Sequence, residues 1–281
     1  MADLYADLTA ADPRVLVGLM AALEAGAADP QQRAMLEAYL TDAALAPGSR
    51  VLEVGCGTGA VTRTLRAWRG VRGAVGVDPS PVLLARAREL AAGMLGITFE
   101  QADGRSLPFA AGAFDAVVFH TVLCHVPSPE DMLREAVRVL CPGGCLAVFE
   151  GDYAAATLAR GPADPLEVCA AAFREHFVHD PWLVRRLPAL VQASGVHVER
   201  IRSHGYVEFG PGFMLTSWVD LGADALAGAG RIGSDAAAAL KAEARRRVAQ
   251  GEYFGHIPYM SLIARKADTG AGPSRRGSDA S

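Results

Sequence analysis

The sequence predicts an α/β fold: a doubly wound sheet of seven strands, mostly parallel with an antiparallel last strand, and helical lid elements above it. Three observations predict this. Short apolar, β-branched runs alternate with helical segments between residues 50 and 149, the pattern of a parallel sheet covered by helices on both faces. The first run ends in a glycine-rich turn and the second in an acid, Asp78. Two later extended runs, Val196 to Val207 and Ile257 to Ala264, supply the closing strands.

In chain order, helices are expected at residues 13–25 and 30–44, the second opened by Asp29 as cap and Pro30 as first helical residue. The turn Ala46-Pro47-Gly48-Ser49 leads into a strand from Arg50 to Val54, followed by a helix from Ala60 to Trp68. Then come a strand at Ala74–Val77, a helix at Pro81–Ala92, and strands at Ile97–Glu100 and Ala116–Phe119. A helix at Pro129–Leu140 and a strand at Cys145–Phe149 complete the alternation. Beyond Glu150, Asp164–Ala193 reads as a helical region with aromatics, and Gly222–Ala249 as an alanine-rich helical insertion. The residues after Lys266 are small, polar and glycine-rich, and are expected to be disordered. The implied division is a helical cap (1–45), a ligand-binding core (46–150), a substrate-binding and lid region with the closing strands (151–266), and a tail (267–281).

Composition narrows the function. With 51% hydrophobic residues in 281 positions, the chain has ample material for a core. A formal net charge of −4 argues against a nucleic-acid partner, which would favour a basic footprint. No apolar run reaches the roughly 18 residues of a membrane span, and Met1-Ala2-Asp3-Leu4-Tyr5 lacks the pattern of a signal peptide. A cytoplasmic location is expected. Cys56, Cys124, Cys141, Cys145 and Cys169 show no metal-ligand spacing and read as reduced thiols, with no metal site.

The chemistry concentrates in Glu53-Val54-Gly55-Cys56-Gly57-Thr58-Gly59, at a strand end and a helix start. Glycines there let backbone approach a ligand, and the helix start offers unpaired N–H groups. Asp78, ending the next strand, is placed to accept both hydroxyl hydrogens of a ribose. Asp103 follows the third strand.

From Arg50 to Glu150 the chain resembles the class I S-adenosylmethionine-dependent methyltransferases, specifically the bacterial branch of ubiquinone and menaquinone C-methyltransferases. The residues that carry the resemblance are Val51 to Gly59, Gly76-Val77-Asp78-Pro79-Ser80, Ala102-Asp103-Gly104, Phe114-Asp115-Ala116-Val117 and Leu140-Cys141-Pro142-Gly143-Gly144, in order and at the family's spacing. The resemblance implies a Rossmann-like core and S-adenosyl-L-methionine as cofactor. It implies that Gly55, Cys56, Gly57 and Gly59 shape the loop around the methionine part of the cofactor, with Glu53 steadying that loop or reaching the amino group. Asp78, with Pro79 beside it, would bind the ribose, Asp103 and the Gly104 backbone the adenine edge, and His120 the methionine portion.

Phe119-His120-Thr121-Val122-Leu123-Cys124-His125-Val126 replaces the Asn/Asp-Pro-Pro-aromatic sequence of enzymes that methylate base amines. The expected acceptor is therefore an O, N or C atom of a small molecule, such as a secondary metabolite or a quinone-like compound. An RNA or protein methyltransferase, a non-catalytic cofactor-binding module and a nicotinamide-dependent dehydrogenase are the alternatives; the last would carry GxGxxG instead of Gly55, Gly57 and Gly59.

An acceptor must lose a proton, which calls for a nearby His or carboxylate. Asp152, Tyr153 and His179 are the expected catalytic groups, with His125 and His256 behind them. Asp180 and Pro181 are equally suited to cap and open a helix. Phe173, Phe177, Trp182, Tyr206, Phe209, Phe213 and Trp218 are expected either to line an apolar pocket or to pack in the core. The run Gly222 to Gly230 is expected to give hinge freedom to a mobile lid. A homo-oligomer is compatible with all of this.

Overall fold

The computed structural model describes residues 13–210, 212 and 214–268. The expected tail from residue 269 onward, the N-terminal residues 1–12 and Phe213 lie outside the described residues. The chain forms one seven-stranded sheet in the order β3-β2-β1-β4-β5-β7-β6. Its strands are β1 (Ser49–Val54), β2 (Val71–Asp78), β3 (Ile97–Gln101), β4 (Phe114–His120), β5 (Leu140–Gly151), β6 (Val196–Phe209) and β7 (Phe254–Lys266). β1 to β5 pair in parallel, whereas β7 runs antiparallel to both β5 and β6. The expected architecture is present.

The helices are α1 (Pro13–Ala28), α2 (Pro30–Ala43), α3 (Ala60–Ala67), α4 (Pro81–Leu90), α5 (Pro129–Val139), α6 (Glu167–Phe177), α7 (Leu187–Ala193), α8 (Met214–Gly228) and α9 (Ser234–Ala249). Local chemistry sets their starts. The Asp29 carboxylate accepts the N–H groups of Gln31 and Gln32 and Pro30 opens α2, while Ser80 caps α4 ahead of Pro81. The central strands are buried on both faces, as Val51, Leu52, Val117, Val118, Leu146 and Val148 show, which is why they read as continuous apolar runs rather than alternating ones.

Strand order reverses between β1 and β4, so the crevice outside their C-terminal ends is the place where this topology binds ligands. The glycine-rich turn opens there. None of the described helices is long and apolar enough to cross a membrane.

Three expectations need correction. Asp164–Ala193 is two helices, α6 and α7, separated by extended backbone and a short 3-10 turn at Leu183–Arg185. Pro181 therefore opens no helix; the Asp180 carboxylate instead accepts the N–H of Trp182 at 3.0 Å and closes a turn. The supposed hinge lies mostly within α8, where Gly222 faces the backbone of Cys169 in α6 so closely that a side chain would collide with it. Gly222 thus serves close helix packing, whereas Gly228 and Gly230, farther along the run, have open space around them.

Candidate functional site

The turn after β1 is held by the next strand. Gly55 and Cys56 both donate their N–H to the carbonyl of Val77, at 2.8 and 2.9 Å, and Gly59 donates to Cys56 at 2.7 Å. Gly55 and Gly57 have φ of 77° and 53°, a left-handed backbone that side-chain-bearing residues adopt at a cost. A Cβ on Gly55 would lie 2.6 and 2.7 Å from the two methyls of Val122, and one on Gly59 would lie 2.5 Å from the Phe99 ring. Gly59 is thus required by packing against β3, whereas Gly55 abuts the turn that follows β4.

Asp78 ties this turn to the end of β2. One carboxylate oxygen accepts the N–H of Gly57 and the other that of Ser80, both at 2.9 Å. Each oxygen keeps a lone pair for a further donor. The carboxyl is buried, and desolvation raises its pKa against the lowering effect of these two bonds. Pro79 beside it is exposed, its carbonyl accepting from Gln101.

Glu53 points from β1 toward α3, where its carboxylate accepts the Thr62 hydroxyl. Burial pushes it up to about 8. Its bond to Thr62 ties the end of β1 to α3, the helix that follows the glycine turn. Cys56 is buried and desolvation raises its thiol well above the usual range, so it is an inert filler of the turn.

Asp103 is half-exposed and forks onto Arg105, which holds its carboxyl below the usual carboxylate value. Gly104 is buried, and a side chain there would run into Met132 and Val54. His120, at the end of β4, stacks on Phe149 with centroids 4.7 Å apart and shares a hydrogen bond with the Tyr39 hydroxyl at 3.1 Å. Desolvation lowers its pKa to about 4, so its ring is neutral at physiological pH.

Tyr39 and α1 are contributions that motif reading missed. Tyr39 is fully buried on α2; its spacing with Met35, Leu36, Leu40 and Ala43 signals burial, but not its partner on β4. Leu23 of α1 comes within 3.1 Å of a Cβ built on Gly57. Glu24 accepts the Thr58 hydroxyl at 2.6 Å and pairs with Arg63 at 2.7 Å. α1 therefore lies across the glycine turn.

Asp152, Tyr153 and His179, the expected catalytic groups, fall on two loops stitched to each other and to the turn after β4. Ala154 donates its N–H to Pro181 at 3.0 Å and Asp180 donates to Cys124 at 2.9 Å. Asp152 pairs with Arg185 at 3.1 Å, and the Arg185 guanidinium stacks 4.3 Å over the Trp182 ring. His179 is exposed. Tyr153 is buried, packing edge-on to His125 at 6.1 Å and stacked on Trp218 at 5.7 Å. His256 is half-buried on β7, where its backbone bridges to Thr157.

Of the aromatics, Phe173, Tyr206 and Trp218 are core residues and Phe177 packs partly against them, while Trp182 and Phe209 are exposed. Phe173 and Trp218 stack at 4.2 Å. For these, core packing prevails over pocket lining in this structure.

The family described as a methyltransferase domain matches residues 52–148. Over 108 residues the chain is 41% identical to a ubiquinone/menaquinone biosynthesis C-methyltransferase of Ectopseudomonas mendocina (strain ymp), covering 37% of this chain and 42% of that protein. Over 107 residues it is 37% identical to cycloartenol-C-24-methyltransferase 1 of Oryza sativa subsp. japonica, covering 37% of this chain and 31% of that protein. The chain thus spans less than half the length of these curated relatives. The YcgJ protein of Bacillus subtilis superposes with a TM-score of 0.58 at 18% identity, over 83% of this chain and 98% of that one. The strand order, the turn after β1 and these likenesses together give the chain the fold of the class I S-adenosylmethionine-dependent methyltransferases.

Proposed function

We propose that the protein is an S-adenosylmethionine-dependent methyltransferase that acts on an O, N or C atom of a small molecule. The observation that carries this reading is the Asp78 carboxylate, buried at the end of β2 and bonded to the Gly57 N–H of the turn after β1. A carboxylate with lone pairs to spare, beside a close-approach backbone at the topological switch point, suits the hydroxyls of a ribose and supports this reading. The cofactor supplies an electrophilic methyl group when bound; the chain supplies alignment and exclusion of water. Gly55, Gly57, Asp78, Asp103, the Gly104 backbone and neutral His120 would hold it, with Glu53, Cys56, Gly59 and Pro79 shaping the loops around it. Residues 1–45 act as a cap, 46–150 as the cofactor-binding core and 151–266 as acceptor-binding lid and closing strands.

The resemblance to the ubiquinone/menaquinone branch, and the C-methyltransferase names of both curated relatives, favour a carbon of an apolar, quinone-like acceptor. Mass spectrometry of label transferred from S-adenosylmethionine into a panel of quinols, phenols and amines tests the acceptor. Label on RNA or protein alone would overturn the small-molecule reading. Isothermal titration tests the cofactor: binding of NAD with none of S-adenosylmethionine would sink the methyltransferase reading. Asp78→Ala is expected to weaken S-adenosylmethionine binding by about 1–3 kcal/mol, the scale of lost hydrogen bonds to a charged group. An unchanged affinity in the folded variant removes Asp78 from the site.

Asp152, Tyr153 and His179 serve the acceptor's proton in this reading. Asp152→Asn and His179→Ala are each expected to lower turnover at least about tenfold, with cofactor affinity nearly constant. Normal turnover in both variants would make Asp152 an ion-pair partner and His179 a loop residue only.

A further inference from the structure

Glu150, next to the last residue of β5, is fully buried and pairs across to Met260 of β7. Its neighbour Phe149 stacks on His120 and Tyr259, so by strand alternation Glu150 faces the opposite side of the sheet. There its Oε1 accepts two consecutive backbone N–H groups, from Val122 at 2.9 Å and Leu123 at 2.6 Å. Consecutive amides converging on one oxygen form an anion-binding nest, here filled by a side chain of the protein itself.

The turn that Glu150 grips is strained. Thr121 has φ of +54°, a left-handed conformation that is an outlier for a β-branched residue and persists only where its surroundings enforce it. The Thr121 N–H donates to Phe149 at 2.7 Å, and Glu150 holds the next two amides. The strained turn delivers Val122 against Gly55. A continuous contact thus runs from a buried acid on β5, through Val122, to the glycine turn at the cofactor end of β1.

We propose that Glu150 is a positioning residue for the methyl donor: it clamps the Thr121–Leu123 turn so that Val122 braces the Gly55 turn in its binding shape. This rests on the methyltransferase reading above. The role belongs to an oxygen acceptor at a fixed reach, and burial, which raises the pKa of this carboxyl, makes an uncharged amide its nearest substitute. Oε2 has no hydrogen-bond partner, so the added N–H groups of a Gln at this place would go unsatisfied and lower stability without releasing the turn.

The experiment is calorimetric titration of the full chain with S-adenosylhomocysteine, well below the melting temperature, beside thermal melts. Glu150→Gln is expected to melt lower yet bind within about threefold of wild type, whereas Glu150→Ala binds at least about tenfold more weakly. Adding Thr121→Gly, which removes the left-handed penalty, is expected to restore at least about threefold of that loss. Glu150→Asp, whose carboxylate stops one methylene short, is expected to lose affinity like the alanine variant and serves if that one does not fold. Wild-type affinity in the alanine or aspartate variant, or a glutamine variant as weak as the alanine one, overturns the clamp alone. No binding by the wild-type chain overturns the methyltransferase reading, and the clamp with it.

Discussion

Gly222→Val is expected to lower stability by about 3 kcal/mol or more, beyond the usual range for overpacked sites. α6 and α8 cross at this residue. A Cβ there would overlap the Cys169 carbonyl oxygen and lie 2.8 Å from its carbonyl carbon, and these are backbone atoms inside a helix that cannot swing aside. Parting the helices would also open the stack of Phe173 on Trp218, 4.2 Å between centroids. For a chain of this size the loss corresponds to a fall in Tm on the order of 6–12 °C. Gly228 ends the same helix with nothing within 4 Å of a built Cβ, so Gly228→Ala is the control and should melt at or slightly above wild type. A Gly222→Val protein melting like wild type would show that α6 and α8 do not touch there, and would revive the hinge.

That reversal shows what a sequence can and cannot disclose. Glycine permits motion and glycine permits contact, and Gly222 to Gly230 looks the same under both until α6 is placed beside it. Local signals were legible wherever the physics is local: Asp29 and Pro30 at α2, Pro81 at the start of α4, the strand, glycine turn and helix of residues 50–67. Asp78 and Gly57 were recognised separately, and the structure adds the bond between them. Tyr39 with His120, Glu24 with Thr58 and Arg63, and Glu150 with Val122 join residues far apart in the chain. Glu150 in particular reads as the polar residue that ends an apolar run. Its burial follows from β7 pairing alongside β5, which no local pattern announces. The aromatics show the same limit, since composition distinguishes neither Trp218 in the core nor Phe209 on the surface.

The second large effect is electrostatic, at Glu53. Burial holds its carboxyl up at about 8 in the folded chain, against an ordinary value of 4.5. Desolvation is the leading cause, with the Thr62 hydrogen bond opposing it and the charge of Asp78 adding to it. Below the unfolded value both states hold the proton. Between that value and about 8 the folded chain binds a proton that the unfolded chain has released, so stability falls as pH rises through this window. At 1.36 kcal/mol per unit, the full gap amounts to a loss on the order of 4–5 kcal/mol. Glu53→Gln keeps the shape and cannot ionise. It should therefore match wild type near pH 4.5 and gain on it steadily toward pH 8, as read from urea unfolding of the cofactor-free chain. Asp78, also raised, contributes with the same sign, whereas His120, held near 4, contributes with the opposite sign as pH rises toward its unfolded value. Both residues are present in either protein, so the difference between the two curves isolates Glu53 and its coupling to Asp78. A gap that stays constant with pH would mean that the Glu53 carboxylate is already ionised in the fold, and its burial against Thr62 would then have to be offset by a cation that the α3 side of the sheet brings to it.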